Sequence, residues 1–157
     1  MKNVFYIDSP VGKLGIIEDS KKISGVFFKN GKKTPKPGAG LIVGETALIK
    51  KTAHQLEEYF KGKRKVFEIP LQLQGTAFQK AVWKSLLTIP YGKTCSYKEV
   101  AAMAGNAKAC RAAGMANNRN PIVIIIPCHR VIGADGSLTG YGGGLDKKQY
   151  LLELEKH

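Results

Sequence analysis

A thiol and an imidazole stand side by side at Cys128 and His129, directly after a long apolar run. The apolar run, residues 122–126, predicts a buried strand, and Pro127 ends its pairing because proline has no N–H to donate. A cysteine is a nucleophile only as the thiolate, which a neighbouring base favours, and chemistry is often placed where a strand ends. We therefore predict that Cys128 is a nucleophile and that His129 is its base, in direct contact or through a water. The alternative is a buried and unreactive cysteine, the commoner role in an arbitrary Cys-His pair.

Three other side chains are of types that support such chemistry. Tyr97 opens a predicted helix, where it either donates a proton to a substrate or simply packs. Asn120 precedes the apolar run, and its amide either ties the preceding helix to that run or serves as an ordinary turn residue. Glu155 lies on the last predicted helix, where it either orients His129 as the third member of a relay or is a solvated surface charge.

A helix predicted over residues 107–116 carries few long side chains apart from Lys108 and Arg111. Helices that read the major groove need several long polar side chains, so this pattern does not favour sequence-specific readout. Small residues such as Ala112 and Gly114 instead allow close approach to a narrow groove, where one arginine fills the space left by an extruded base. The alternative is an alanine-rich face that packs on another helix.

The elements that position these residues begin with an N-terminal α/β segment. Apolar spacing predicts a helix from about Leu48 to Phe60 that ends at Gly62. Three runs rich in β-forming residues predict an antiparallel meander before it. These runs are residues 2–8, 13–18 and 22–29. An extended linker over residues 66–73 follows the helix, so we expect an α/β domain over residues 1–74.

The second half, residues 75–157, is predicted to be a mostly helical domain. Ser96 and Glu99 form a capping box that opens a short helix. Gly105 suits the left-handed end of that helix, and Asn106 suits the cap of the next. Two helices joined by a short glycine-containing turn are the helix-turn-helix pattern.

Two further helices complete this half of the chain. An apolar stripe predicts one between Thr76 and Pro90, and a last helix is predicted over residues 146–155. The loop before the last helix, residues 133–144, is rich in glycine and contains Tyr141. Its backbone is therefore able to approach a flat ligand closely.

The charge balance is strongly basic, with 25 Lys+Arg against 12 Asp+Glu and a formal net charge of +13. Such a surface predicts a polyanionic partner, above all nucleic acid, although lysines also serve solubility alone. An odd number of cysteines and a start without an apolar signal region predict a reducing, cytoplasmic location. No apolar run is long enough to span a membrane, and without a C-x-x-C pair or clustered histidines we expect no metal.

Together these features resemble the O6-alkylguanine-DNA alkyltransferase family over most of residues 75–155. The Pro-Cys-His-Arg-Val core is specific to that family, and the flanking matches fall in the family's order and spacing. The first 70 residues match only in type, as the ribonuclease H-like α/β domain expected there. The matching segments are Gly75-Thr76-Ala77-Phe78-Gln79 with Val82-Trp83, Ile89 through Thr94, Ser96-Tyr97, Arg111-Ala112, Gly114, Asn120-Pro121, Pro127 through Gly133 and Leu138 through Leu145.

The resemblance implies a role for each candidate residue. Cys128 matches the acceptor of the alkyl group, and His129 matches the base that acts on it through a water. Glu155 matches the carboxylate that orients the histidine, and Asn120 matches a hinge asparagine. Tyr97 matches the tyrosine that crowds the phosphate and donates a proton to the guanine.

The resemblance also implies a minor-groove interface and a guanine pocket. Arg111 matches the arginine finger that replaces the flipped nucleotide. The other residues implied are Lys108, Ala112 and Gly114 on the DNA and Val131, Tyr141 and Gly142 around the base. The chain departs from the family at two positions. Gly142 stands where some members have a serine that hydrogen-bonds the guanine oxygen, and Cys110 stands where a smaller residue is common beside the finger.

The expected function is therefore direct repair of double-stranded DNA. The protein would transfer a methyl or larger alkyl group irreversibly from O6-alkylguanine to Cys128, once per chain, as a monomer without a cofactor. One alternative is a helix-turn-helix regulator with a structural cysteine, which the scarcity of long side chains on residues 107–116 argues against. A Cys-His hydrolase is the other, and it leaves the basic surface without a reason.

Overall fold

The computed structural model describes residues 2–29, 31, 33–36, 39–141 and 143–156, and Gly142 lies outside this range. The chain divides into two compact units, Met1–Leu73 and Gln74–His157. Among the described residues, no helix has the length and apolar character needed to cross a bilayer. Each unit is described by itself below.

The first unit is built on a mixed sheet with the strand order β3-β2-β1-β4. The strands are β1 (Lys2–Ile7), β2 (Leu14–Asp19), β3 (Lys22–Phe28) and β4 (Leu41–Val43). The predicted antiparallel meander is confirmed for β1 to β3. Its second turn is tight because Ser20 and Lys21 both adopt positive φ, which matches the twist of the flanking strands.

The predicted antiparallel sheet is mixed in the structure, because β4 pairs parallel with β1. This strand has only three residues, so it is too short to show a periodic pattern in the sequence. The opposite edge is partly covered as well. The Ile23 amide donates to the Pro70 carbonyl at 2.9 Å, and the Gln72 amide donates to the Ile23 carbonyl at 2.9 Å.

An amphipathic helix, α1 (Ala47–Phe60), covers this sheet by packing on β2 and β3. The Thr46 hydroxyl caps it by accepting from the Ile49 amide at 3.1 Å. Gly62 ends it as predicted, because its φ of +74° turns the chain so that the Lys63 amide reaches the Glu58 carbonyl at 2.8 Å. Its inward side chains Ile49, Leu56 and Tyr59 are fully buried.

The second unit contains four helices among its described residues, with one pair of short strands between them. The helices are α2 (Ala77–Leu86), α3 (Tyr97–Met103), α4 (Cys110–Asn118) and α5 (Leu145–Glu155), and the strands are β5 (Cys95–Ser96) and β6 (Val131–Ile132). β5 and β6 pair in parallel, and α2, α3 and α4 pack on one another. The buried Trp83 indole on α2 donates to the Ala116 carbonyl on α4 at 2.9 Å, which fixes these two helices together.

The capping box of α3 is confirmed, since the Ser96 side chain accepts from the Glu99 amide and the Glu99 side chain accepts from the Ser96 amide. The predicted start of the next helix near residue 107 is wrong, because α4 begins at Cys110. The Asn106 side chain accepts from the Lys108 amide at 3.1 Å, and its carbonyl accepts from the Ala109 amide at 3.0 Å. These bonds satisfy the backbone in a turn, so Lys108 lies before the helix instead of on it.

The apolar run Ile122–Ile126 is buried as predicted, but the predicted strand is wrong. Two backbone hydrogen bonds form inside the run. The Ile125 amide donates to the Val123 carbonyl at 2.8 Å, and the Ile126 amide donates to the Ile122 carbonyl at 3.0 Å. Ile124 adopts a φ of +72°, which no regular strand contains. The run is therefore a compact buried turn that reverses the chain just before Pro127.

The last helix begins one residue before the predicted Asp146, at Leu145. Gly144 occupies the capping position with a φ of +103°, and the structure shows no side-chain cap at this end among the described residues. Asp146 therefore lies in the first turn, where its charge suits the positive end of the helix.

Candidate active site around Cys128

Cys128 begins a single 3-10 turn, Cys128–Arg130, that leads into strand β6. Its amide donates to the Ile126 carbonyl at 2.8 Å across Pro127, so the thiol is held at a tight bend. Only 3% of the residue is exposed. The neighbours at this bend therefore decide the chemistry of the sulfur.

A buried ionic network lies directly behind this turn. His129 Nε2 and Glu155 Oε2 are 2.6 Å apart, with both side chains almost fully buried. Arg130 donates to both oxygens of the same carboxylate, from Nε at 2.8 Å and from the guanidinium NH2 group at 3.1 Å. Its remaining nitrogen donates to the Ile89 carbonyl at 2.6 Å. The structure thus brings together the predicted pair His129 and Glu155, which are 26 positions apart in the chain.

This network fixes how the imidazole is used. Burial lowers the pKa of His129 below its ordinary value. The hydrogen bond to Glu155 and the charge of that carboxylate act on this pKa in the opposite direction and offset the lowering only partly. The ring is therefore neutral near pH 7, with its proton on Nε2 facing the carboxylate that Arg130 holds. Nδ1 then carries a lone pair, and among the described residues it has no hydrogen-bond partner. A buried nitrogen of this kind is available to accept a hydrogen bond from a water, the role that the family resemblance implies for His129.

Asn120 ties the end of α4 to the bend that carries the thiol. Its Nδ2 donates to the Ile126 carbonyl at 2.7 Å, and its Oδ1 accepts from the Ile122 amide at 2.9 Å. The side chain is fully buried. Both ends of the apolar turn are therefore held by one amide, in the place expected of the predicted hinge.

Tyr97 and the glycine-rich loop meet at a shared backbone oxygen. The Tyr97 hydroxyl donates to the Thr139 carbonyl at 3.0 Å, and the Lys148 ammonium donates to the same oxygen at 2.7 Å. The Lys148 nitrogen also lies 5.9 Å from the centre of the Tyr97 ring. The predicted proton donor thus stands beside a buried cation.

Sequence reasoning missed Lys148, which is fully buried on α5. Burial lowers the pKa of its ammonium, while the negative charge of the Cys128 thiolate raises it. A lysine is rarely buried without a compensating charge, so this placement is informative. In the sequence it was one of 25 Lys+Arg, and the available signal was its position on the inward side of the last helix.

Tyr141 stands next to the thiol from the side of the glycine-rich loop. Burial raises the pKa of its phenol well above the ordinary value, and the charge of Cys128 and a hydrogen bond to it raise the pKa further. The phenol therefore keeps its proton and is a donor towards the sulfur. Of the other predicted pocket residues, Val131 is fully buried in β6, while Gly142 falls outside the described residues.

Three of the predicted DNA-binding residues, Lys108, Arg111 and Gly114, line an open cleft of about 820 Å³ on the exposed side of α4. Arg111 and Lys108 are both exposed, and of the described residues that line the cleft none is acidic. Ala112 is exposed on the same helix, and Gly114 faces Tyr97, whose ring would lie 3.6 Å from a Cβ at that glycine. The full lining is Tyr97, Lys108, Cys110, Arg111, Gly114, Asn118, Thr139 and Gly140.

Among the described residues, no group of three or more potential ligands could hold a metal ion. The arrangement is instead suited to nucleophilic chemistry by a cysteine. It combines a buried thiol, a neutral imidazole of fixed tautomer, a phenol donor and a buried cation, next to a basic cleft.

Comparison with known proteins covers nearly all of the chain. The family model described as the DNA binding domain of 6-O-methylguanine DNA methyltransferase matches residues 77–157, and the model of its ribonuclease-like domain matches residues 4–73. A methylated-DNA--protein-cysteine methyltransferase of Methanosarcina barkeri is 50% identical over 151 residues, which are 96% of this chain and 95% of the relative.

Solved structures give the same picture. The crystal structure of the Mycobacterium tuberculosis O6-methylguanine methyltransferase superimposes with a TM-score of 0.90 at 46% identity, covering 99% of this chain and 93% of that one. The structure of Mycobacterium tuberculosis OGT in complex with DNA gives a TM-score of 0.91 at 45% identity, with coverage of 98% and 92%.

Proposed function

Because the chain belongs to the 6-O-methylguanine DNA methyltransferase family, we propose that it repairs DNA by moving the alkyl group of O6-alkylguanine onto its own Cys128. The observation that carries this assignment to the residue is the buried thiol beside an imidazole whose free nitrogen and fixed tautomer suit a base. Glu155 and Arg130 support the assignment because they hold the imidazole in that form.

The transfer is a single displacement. The thiol proton passes through a water to His129 Nδ1, and the sulfur attacks the alkyl carbon in line with its bond to O6. The S–C bond forms as the O6–C bond breaks, and the electron pair stays on the guanine. Tyr97 is the candidate donor of the proton that neutralises the departing base, and its neighbour Lys148 favours the negative charge that develops there.

Recognition of DNA is assigned to α3, the turn after it and α4, as a helix-turn-helix that enters the minor groove. The exposed Arg111 takes the place of the extruded nucleotide, Ala112 and Gly114 let the backbone approach the DNA closely, and Lys108 contacts a phosphate. We assign the extruded base to a pocket walled by Val131 and Tyr141; Gly142, the other predicted wall, lies outside the described residues. The phosphate contacts are independent of sequence and weaken with salt.

The product is a thioether, which neither water nor thiol exchange reverses. Each chain therefore acts once, and the chemistry consumes no cofactor. A monomer is sufficient, since every side chain named for the reaction belongs to one chain. The cytoplasmic location stays a prediction from the cysteine count.

The test is to mix the protein with duplex DNA carrying labelled O6-methylguanine and to measure label on protein. We expect one label per chain, none in Cys128→Ser, and unchanged DNA binding by that variant. Cys95→Ser is the matched control because this half-buried cysteine has no assigned role, and it should still take up label. Label on Cys128→Ser would contradict the assignment. Release of the methyl group into solution would instead indicate a hydrolase, and DNA binding by the wild-type protein without label would indicate a regulator.

A further inference from the structure

Asn117, near the end of α4, has a buried amide oxygen that nothing in the described protein satisfies. The residue is 1% exposed. Its Nδ2 donates to the Cys128 carbonyl at 3.3 Å, whereas its Oδ1 has no hydrogen-bond partner among the described residues. A buried acceptor without a donor is costly, so a donor from outside the protein is expected there.

The position of this oxygen is set by the bond on the other side of the same amide. Since Nδ2 donates to the Cys128 carbonyl, Oδ1 of the same amide also lies close to the residue that accepts the alkyl group. Asn117 faces inward from α4, whereas Arg111, Met115 and Asn118 are on its exposed side. The orphan oxygen is therefore on the acceptor side of the helix, away from the exposed cleft.

The chemistry of the substrate limits which donor can reach Oδ1. Guanine has an N–H at N1 and an exocyclic amine at C2, and alkylation at O6 removes the N1 proton. The amine is then the remaining donor of the base. An O4-alkylthymine loses its ring N–H in the same way and has no exocyclic amine, so it offers no donor.

We propose that Asn117 Oδ1 accepts a hydrogen bond from the exocyclic amine of the extruded alkylguanine, and that Asn117 thereby makes the site prefer alkylguanine to alkylthymine. This inference rests on the proposed function. A site that contains a buried polar group rejects an analogue without the matching group, because the protein group is then left unpaired. Asn117 is thus a specificity-determining residue, distinct from the groups that activate the thiol.

The experiment compares single-turnover methyl transfer from three duplexes of identical sequence context. They carry O6-methylguanine, O6-methylhypoxanthine, which is the same base without the amine, or O4-methylthymine. We expect the wild-type protein to prefer O6-methylguanine to O6-methylhypoxanthine by about tenfold, as one hydrogen bond allows. In Asn117→Leu this ratio should fall by about the same factor, and the preference over O4-methylthymine should fall with it.

Two further variants distinguish loss of the hydrogen bond to the amide oxygen from nonspecific disruption of the site. Asn118→Leu removes the neighbouring exposed amide of α4 and should change all three rates by one common factor. Asn117→Asp keeps an oxygen acceptor and should keep the preference, even if every rate falls because the donor to Cys128 is lost. It also decides the matter if Asn117→Leu proves too unstable to assay.

An unchanged ratio in Asn117→Leu, or a lost ratio in Asn117→Asp, would overturn the inference and leave Oδ1 as the site of a structural water. Failure of the wild-type protein to take methyl from any duplex is a different result, because it contradicts the proposed function itself.

Discussion

One carboxylate serves two neighbours at the centre of this site. Glu155 accepts from Arg130 through both oxygens and contacts His129 Nε2 at 2.6 Å, with all three side chains buried. Arg130 offsets the cost of burying the carboxylate, and the carboxylate fixes the imidazole tautomer. The proposed proton transfer depends on the lone pair of His129 Nδ1. That lone pair is available because the Glu155–Arg130 ion pair holds the proton on Nε2, at the other side of the ring.

Glu155→Gln should therefore damage reaction and folding together. Its uncharged amide leaves Arg130 without a counter-ion and allows the imidazole to exchange tautomers. We expect the methyl-transfer rate to fall about 10²-fold and the free energy of unfolding to fall by about 3 kcal/mol. Single-turnover kinetics and urea unfolding measure the two effects.

The matched control is Glu153→Gln, because Glu153 is exposed on the same helix and pairs only with Lys156 at 3.1 Å among the described residues. A surface pair of this kind contributes little, so both measurements should stay near wild type. If Glu155→Gln behaved like Glu153→Gln, the carboxylate would have no part in orienting His129.

At the scale of elements, α4 presents different residues on its two sides. Its inner side holds Ala113, Ala116 and Asn117 against the core, and its outer side carries the exposed Arg111. Because the helix begins at Cys110, Arg111 lies in its first turn, next to the exposed Lys108 of the preceding turn. Positive side chains and free amides at one helix end make a surface for phosphates.

Arg111→Ala should separate the work of this helix from the chemistry at Cys128. If the side chain fills the space of the extruded base, its loss slows repair in duplex DNA but leaves reaction with free O6-benzylguanine almost unchanged. We expect a decrease of about 10- to 100-fold in the duplex rate, equivalent to about 1.4–2.8 kcal/mol. Parallel single-turnover measurements on the two substrates provide the comparison.

Arg119→Ala removes the same charge from the other end of α4 and is the control for electrostatic attraction alone. It should weaken duplex binding modestly and in a salt-dependent way. Equal losses on the duplex and the free base in Arg111→Ala would argue that Arg111 supports the fold of the site and is not a finger.

For the whole molecule, the net charge of +13 and the buried charges act in different ways. The surface charge attracts DNA without regard to sequence. The interior holds a lysine, Lys148, whose charged form is favoured by the thiolate that the reaction consumes. Alkylation removes this negative charge permanently, so where Cys128 is ionised the alkylated protein should be less stable than the active protein.

The sign of this effect follows from the pKa of Lys148. Burial already lowers that pKa in the folded state, and loss of the thiolate charge lowers it further, while the unfolded chain is unchanged. Below the ordinary pKa of lysine, and where Cys128 is ionised, methylation should therefore lower the free energy of unfolding and the Tm. Thermal unfolding of both forms from neutral to alkaline pH, where the thiol ionises, measures the difference.

This decrease in stability on methylation should be smaller in Lys148→Met, because that variant has no buried ammonium for the thiolate to stabilise. It should be the same as in the wild-type protein in the control Lys147→Met. Lys147 donates instead to the Gly143 carbonyl at 3.2 Å. An equal decrease in Lys148→Met and the wild-type protein would show that methylation destabilises the fold only through the added bulk.

The sequence by itself determined the features that depend on neighbouring residues. The capping box of Ser96 and Glu99, the end of α1 at Gly62 and the meander of β1 to β3 follow from hydrogen bonds and turns within a few positions. The local spacing around Cys128 was also enough to identify the family. Prediction from neighbouring residues was wrong where one side chain suits two local structures. Asn106 suits both a helix cap and a turn, and in the structure it closes a turn.

Only the tertiary structure decided which distant groups meet. Ile122–Ile126 has the composition of a strand, but the described structure pairs it with no neighbouring strand, so its amides bond locally and Asn120 holds the turn. The parallel pairing of β4, the burial of Lys148 and the orphan oxygen of Asn117 likewise have no local signature. Each depends on packing between residues far apart in the chain. The sequence therefore identifies Cys128 and His129, whereas packing decides which charges and amides surround them.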